Sequence, residues 1–171
     1  MERLLLIDRN DYDGITAEIS RVAVRGIILI EDKLLLIESS SGEVKLPGGG
    51  QEDGEDDITT LCREVSEEVG CDVIPDSVRE FGSVEERRRA FYEEAVWHQI
   101  NRLYFCDVNA QQHECCYSEN EMAKGFRRVT MSVDEAVEKS RLASRHKERP
   151  YNQREYNTFL LIKEYLKGDS L

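Results

Sequence analysis

The sequence predicts a domain that mixes strands and helices, of the α/β or α+β class, and three observations predict it. Short runs of Val, Ile and Leu bounded by turn residues recur through the first two thirds of the chain, as strands do. Between them, Ile58, Leu61, Val65 and Val69 are spaced by three and four residues, the pattern of one helix face. A second pattern of that kind, Tyr156, Phe159, Leu160, Ile162 and Leu166, lies near the end. A length of 171 residues suffices for one sizeable core, so a single domain over residues 1–171 is expected.

In chain order, Leu4 to Ile7 reads as a short strand and residues 8–14 as a turn-rich loop. Residues 19–30 alternate and then become continuously apolar, as a central strand does. Glu31 and Asp32 form a tight connection, and residues 33–37 return as the second arm of a hairpin. A serine-rich loop precedes Lys45-Leu46-Pro47 and the glycines Gly48, Gly49 and Gly50, which permit positive φ and close approach of the backbone. The helix around Leu61 follows, with Gly70 placed for a left-handed cap. Residues 78–92 form a highly charged strand or hairpin, and residues 95–108 the clearest alternating strand. Residues 109–124 read as a long polar loop that closes over a ligand. A strand over 125–131 leads to a helix opened by the Ser132/Glu135 capping box, then to the basic stretch 145–149 and a last helix over about 152–167.

Composition narrows the function classes. Twenty-three basic against 35 acidic residues give a net charge of −12, the reverse of what phosphate-backbone binding to nucleic acid requires. Five cysteines without a framework spacing point to reduced thiols, and no apolar run reaches membrane-spanning length. A cytoplasmic protein, monomer or homodimer, without nucleic-acid or membrane partners is expected. Spacing around His113, Cys115 and Cys116 does not make a zinc site.

The chemistry gathers in residues 49–71. Glu64, Glu67 and Glu68 fall within one helical turn, with Asp57 and Thr60 on the same arc. Three carboxylates so placed repel one another, and hard divalent cations with a taste for oxygen would relieve that. A lone Glu-x-x-Glu-Glu is an ordinary solvated acidic face, but the wider spacing is not ordinary. Five residues separate Gly49 from Glu55, seven separate Glu55 from Arg63, and Arg63-Glu64-Val65-Ser66-Glu67-Glu68-Val69-Gly70 follows. This resembles the Nudix box, G-x5-E-x7-R-E-U-x-E-E-x-G-U, at all seven fixed positions. Cys71 stands at the last apolar position.

The resemblance extends over about residues 15–167, behind a short N-terminal strand extension. It implies an α/β/α sandwich with a mixed β-sheet and hydrolysis of a nucleoside diphosphate linked to another moiety, with Mg2+ or Mn2+. By position, Glu64, Glu67 and Glu68 would be metal ligands with the Gly48 carbonyl, and Arg63 would orient the glutamates together with Glu55. Glu64 or Glu67 would stand nearest the attacking water. In some members the base comes from a later loop, where Glu114, Glu119 and Glu121 are the candidates and Glu119 is favoured, because Ser118 and Asn120 beside it form turns. Arg87 and Arg89 are the expected contacts to the phosphates or the distal group of a phosphorylated small-molecule substrate. Glu67→Gln and Glu68→Gln are each expected to cost activity but not the fold.

Marks of some subgroups are absent: no proline or tyrosine at the downstream spacings of ADP-ribose or dinucleoside polyphosphate hydrolases, and no SQPWPxS tail. That leaves a nucleoside triphosphate or a nucleotide sugar. The other class of reading is a catalytically silent nucleotide-binding regulatory module, which the full set of box glutamates disfavours.

Overall fold

The computed structural model describes residues 1–146 and 149–168. Two helical layers enclose a layer of strands, an arrangement that agrees with the expected mixed α/β class. The central sheet runs β1 (Arg3–Asp8), β8 (Arg79–Arg89), β9 (Val96–Phe105), β2 (Glu18–Ile27) and β6 (Gly48–Gly50). It is mixed: β1 with β8 and β2 with β9 are parallel, whereas β8 with β9 and β2 with β6 are antiparallel. A second sheet orders β11 (Arg127–Met131), β4 (Lys33–Glu38) and β3 (Leu29–Ile30), with β5 (Val44–Lys45) also on β4.

The strand expected over 19–30 therefore divides at Ile28. Its first part stays in the central sheet and its last two residues pair with β4. The hairpin turn is where the sequence places it, with Glu31 and Asp32 both at positive φ, 47° and 63°. β4 reads Leu34-Leu35-Leu36-Ile37 because it is buried on both faces. Leu34 and Leu36 join the core beneath α3 (Val133–Ala143) and α4 (Tyr151–Leu166), with Ile27, Leu103, Phe105, Phe159 and Ile162. Leu35 and Ile37 join the other core, against Leu61, Val65 and Val69 of α1 (Asp57–Val69). One strand thus fixes both layers.

The segment 109–124 is more ordered than its polar composition suggested. β10 (Val108–Gln112) pairs with β7 (Cys71–Val73), and the short helix α2 (Glu119–Ala123) follows. Ser118 accepts from the Glu121 N–H while the Glu121 carboxylate accepts from Ser118, a reciprocal cap. The Ser132/Glu135 box opens α3 as the sequence indicated. Within the basic stretch 145–149, Lys147 and Glu148 lie outside the described residues. No helix among the described residues is long and apolar enough to cross a membrane.

Phe159 is fully buried at the centre of the α3/α4 core. Phe159→Ala is expected to destabilise the protein by about 3–5 kcal/mol, through lost transfer energy and a residual cavity. Urea unfolding should show this as a lower midpoint at unchanged slope; a midpoint shift worth under about 1 kcal/mol would mean that this core is not the one described.

Candidate functional site

Three consecutive residues without side chains build one wall of the site. β6 lies antiparallel to β2, with Ala23 opposite Gly50, Val24 opposite Gly49 and Arg25 opposite Gly48. Gly48 sits at φ 132°, and a Cβ there would overlap the Val24 carbonyl. At Gly49 a Cβ would fall on the Glu64 carboxylate, and at Gly50 it would come 2.8 Å from the Arg21 guanidinium. The glycines thus let charged side chains lie directly against the backbone.

The opposite wall is α1. Asp56 caps its start by accepting from the Thr59 N–H at 2.7 Å, and Gly70 ends it in the left-handed region at φ 62°. Leu61, Val65 and Val69 bury one side in the core, which turns Arg63, Glu64, Glu67 and Glu68 toward the glycine wall. Arg63 ties the pieces together. Its Nε and one terminal nitrogen grip both Glu55 oxygens at 2.7 and 2.9 Å, and that second nitrogen also reaches the Gly50 carbonyl at 3.2 Å. The other terminal nitrogen donates to Glu64 Oε1 at 2.8 Å and to Glu67 at 3.4 Å. The Arg63 guanidinium, with the Glu52 N–H behind it, holds the Glu55 carboxyl down to about 2.

Glu68 is 1% exposed, which the picture of a solvated acidic face did not anticipate. One of its oxygens accepts from Lys45 at 2.6 Å and the other from the Gly48 N–H at 2.7 Å. Burial works against both charges, pushing the Glu68 carboxyl up and the Lys45 ammonium down. The mutual repulsion expected of the three glutamates is therefore compensated by protein cations, Glu64 and Glu67 by Arg63 and Glu68 by Lys45. Among the described residues, no three His, Cys, Asp or Glu side chains converge on one point, since these cations draw the carboxylates to different partners. Glu68→Gln is then not neutral for the fold, because it would strip Lys45 of its counter-charge.

The donor set still suits a hard dication. Glu64, Glu67, Glu68 and the Gly48 carbonyl are all oxygen donors. Positive groups already lie against all four: Arg63 on Glu64 and, at 3.4 Å, on Glu67, Lys45 on Glu68 and an Arg25 nitrogen on the Gly48 carbonyl. Above them opens a cavity of about 360 Å3 lined by Arg21, Arg25, Lys45, Lys124 and Arg154 and by as many carboxylates, Glu43, Glu64, Glu68, Glu121 and Glu155. In a chain of net charge −12 an evenly balanced lining is richer in cations than the surface at large.

Three sequence-based expectations change at this point. Glu119 does not line the cavity; Glu121 does, because the cap on Ser118 turns the third position of α2 inward and leaves the first outside. Arg87 and Arg89 do not line it either. β8 alternates, so Glu86 and Arg88 are buried on the α4 face while Arg87 and Arg89 belong to the other face. Arg87 binds Glu18 at 2.5 Å and packs over the Tyr12 ring, and the Arg89 N–H donates to Asp11. The arginines lining the cavity are instead Arg21 and Arg25, from β2, and Arg154, from α4. The Ser118-x-x-Glu121 pattern and the two arginines were readable signals; nothing local marked Arg154.

Residues 20–153 match the NUDIX domain family. No curated protein sequence matches the chain. Among solved structures, the fold is similar to a NUDIX hydrolase from Nitrosomonas europaea, at 19% identity and TM-score 0.58, covering 88% of this chain and 91% of that one. It is also similar to a structure described as an ADP compounds hydrolase, at 17% identity and TM-score 0.55 over 88% of this chain and 75% of that one. A MutT NUDIX hydrolase from Burkholderia pseudomallei gives 19% identity and TM-score 0.53 over 68% and 85%.

Because the folded Glu55 pKa lies near 2 and its ordinary value is 4.5, its pairing with Arg63 stabilises the fold above about pH 4.5. That contribution fades as pH falls toward 2. Glu55→Gln is expected to melt at a lower temperature than the parent protein at pH 7, with the gap narrowing between pH 4.5 and 2. A gap independent of pH in melting curves would show that Glu55 acts through packing alone.

Proposed function

The chain belongs to the NUDIX hydrolase family, and from that premise we propose that it hydrolyses, with Mg2+ or Mn2+, a nucleoside diphosphate linked to another moiety. One observation carries the reading. The Glu64 carboxylate lies against Gly49 in a cavity lined by glutamates and by arginines and lysines in equal number, so that a diphosphate with its metal ion there would meet carboxylates and arginines together. Glu64, Glu67 and Glu68, with the Gly48 carbonyl, would hold the ion, which when bound neutralises the diphosphate and lowers the pKa of bound water.

The chain's own residues do the rest. Arg63 fixes Glu64 by one oxygen, Oε1, and among the described residues nothing else donates to that carboxylate. Oε2 therefore accepts the proton of the attacking water. As the new P–O bond forms, the bridging P–O bond breaks and its electron pair leaves on the departing phosphate. Lys45 and Arg25, held beside Glu68 and the Gly48 carbonyl, steady the charge that develops on the phosphate oxygens. Glu121, beside Lys124 on the α2 side of the cavity, helps close it from above. The five free cysteines suit a reducing compartment such as the cytoplasm.

Glu67 is the cleanest probe, since its side chain is 44% exposed and its only side-chain partner among the described residues is the long Arg63 contact. Glu67→Gln is expected to lower kcat by about 10²-fold or more while leaving the melting temperature without metal unchanged. Phosphate release from a panel of nucleoside triphosphates and nucleotide sugars, with Mg2+ and with EDTA, is the measurement. Turnover that survives EDTA, or a Glu67→Gln enzyme near full rate at limiting Mg2+, would refute the assignment.

A further inference from the structure

Because β6 is all glycine, the side chains that β2 sends toward the cavity pass over it unobstructed. Arg21 and Arg25, four residues apart on one strand, share a face. Arg25 is occupied by the Leu46 and Gly48 carbonyls. Arg21 is not: its guanidinium lies beside Gly50 on the cavity wall, and among the described residues it makes no hydrogen bond or ion pair. Arg21 still reaches solvent; its partial desolvation against the cavity wall, and then the neighbouring charges of Arg25 and Arg154, pull its pKa below the ordinary range, while Glu64 acts the other way. Arg154 reaches the same cavity from α4 and is only 8% exposed. Glu86, itself buried, holds it at 2.9 Å and Glu155 at 3.1 Å, while its Nε is buried without a hydrogen bond.

We propose that Arg21 and Arg154 form a receptor for a terminal phosphate, so that the substrate ends in a phosphomonoester, as a nucleoside triphosphate does, rather than in a sugar. The inference rests on the reading of this cavity as the diphosphate site. Its physical basis is charge. A guanidinium cannot shed its proton; Arg154 is already paired with Glu86 and Glu155, whereas Arg21 makes no ion pair among the described residues, so an anion bound beside it would supply the missing counter-charge. A phosphomonoester brings about −1.5 to −2 and three acceptor oxygens, matched to planar forks. Sugar hydroxyls bring no charge. Position agrees with this: Glu64 lies against Gly49 and Arg21 against Gly50, on the two sides of β6, and both line the one cavity that wraps this strand.

Two measurements test it. The first is calorimetric titration of the whole protein, in EDTA, with inorganic tripolyphosphate. The parent protein and Glu67→Gln should bind alike, Arg21→Gln at least tenfold more weakly, and Arg154→Lys should also bind more weakly because it keeps charge but loses the fork. Among the described residues Arg21 has no hydrogen-bond or ion-pair partner to lose, so a folded Arg21→Gln decides the matter even if Arg154→Lys unfolds. The second compares hydrolysis of a nucleoside triphosphate and of a nucleoside diphosphate sugar. Arg21→Gln should raise KM for the triphosphate at least tenfold, with kcat within about threefold and the sugar nucleotide unaffected. Equal tripolyphosphate binding by parent and Arg21→Gln, no binding by either, or equal losses on both nucleotides would overturn the receptor. Arg21-dependent binding by a protein that hydrolyses nothing would leave the receptor standing and sink the catalytic reading instead.

Discussion

The close approach of helix α1 to a strand without side chains governs the rest of this structure. Gly48 fits where it does because any Cβ would overlap a neighbouring carbonyl, and Gly49 and Gly50 keep clear the ground on which Glu64 and Arg21 rest. Move that strand outward by the width of one methyl group and Arg63 could no longer reach the Gly50 carbonyl while gripping Glu55. The acidic helix would then face water. The helix is held at this distance by apolar burial on its other side, where Leu61, Val65 and Val69 are fully enclosed. Catalytic geometry and core packing are thus two sides of one element.

Charge compensation follows from that proximity. Glu68 and Glu86 are each about 1% exposed, and such carboxylates persist as charges only beside cations or donors. Lys45 and the Gly48 N–H serve the first, Arg154 and Arg88 the second. These pairs add little stability compared with a hydrophobic replacement. Their value is positional, since each sets a charged group at the rim of the cavity. Two nitrogens of cavity-lining residues, Arg25 Nε and Arg154 Nε, are buried without hydrogen bonds.

The sandwich explains why β4 is uninterruptedly apolar. Its alternate residues enter the two cores, so it has no solvent face to which a polar residue could be assigned. β9 divides in the same way, with Leu103 and Phe105 on the α4 side and Tyr104, followed just past the strand by Cys106, on the α1 side. Closer to the cavity that inner face becomes polar, with Gln99 and Asn101 buried beside Glu86. The central sheet is a hydrophobic floor at one end and a polar one at the other.

The sequence by itself determined the parts that depend on local rules. Helix α1 with its cap, the hairpin at Glu31 and Asp32, the capping box at Ser132, and the clustering of Arg63, Glu64, Glu67 and Glu68 against a glycine run all follow from periodicity, turn chemistry and spacing within a few residues. Tertiary structure decided which charges meet. The strand over 19–30 split between two sheets, Glu121 rather than Glu119 faced the cavity, and Arg87 and Arg89 went to the outer face while Arg21, Arg25 and Arg154 lined the inner one. The reason is the range over which each effect operates. A helical face is set by residues three and four apart, but the partner of a long cationic side chain is set by which distant element packs over it. Arg154 and Glu86 are 68 residues apart in sequence and 2.9 Å apart in space, and only the docking of α4 on the sheet brings them together.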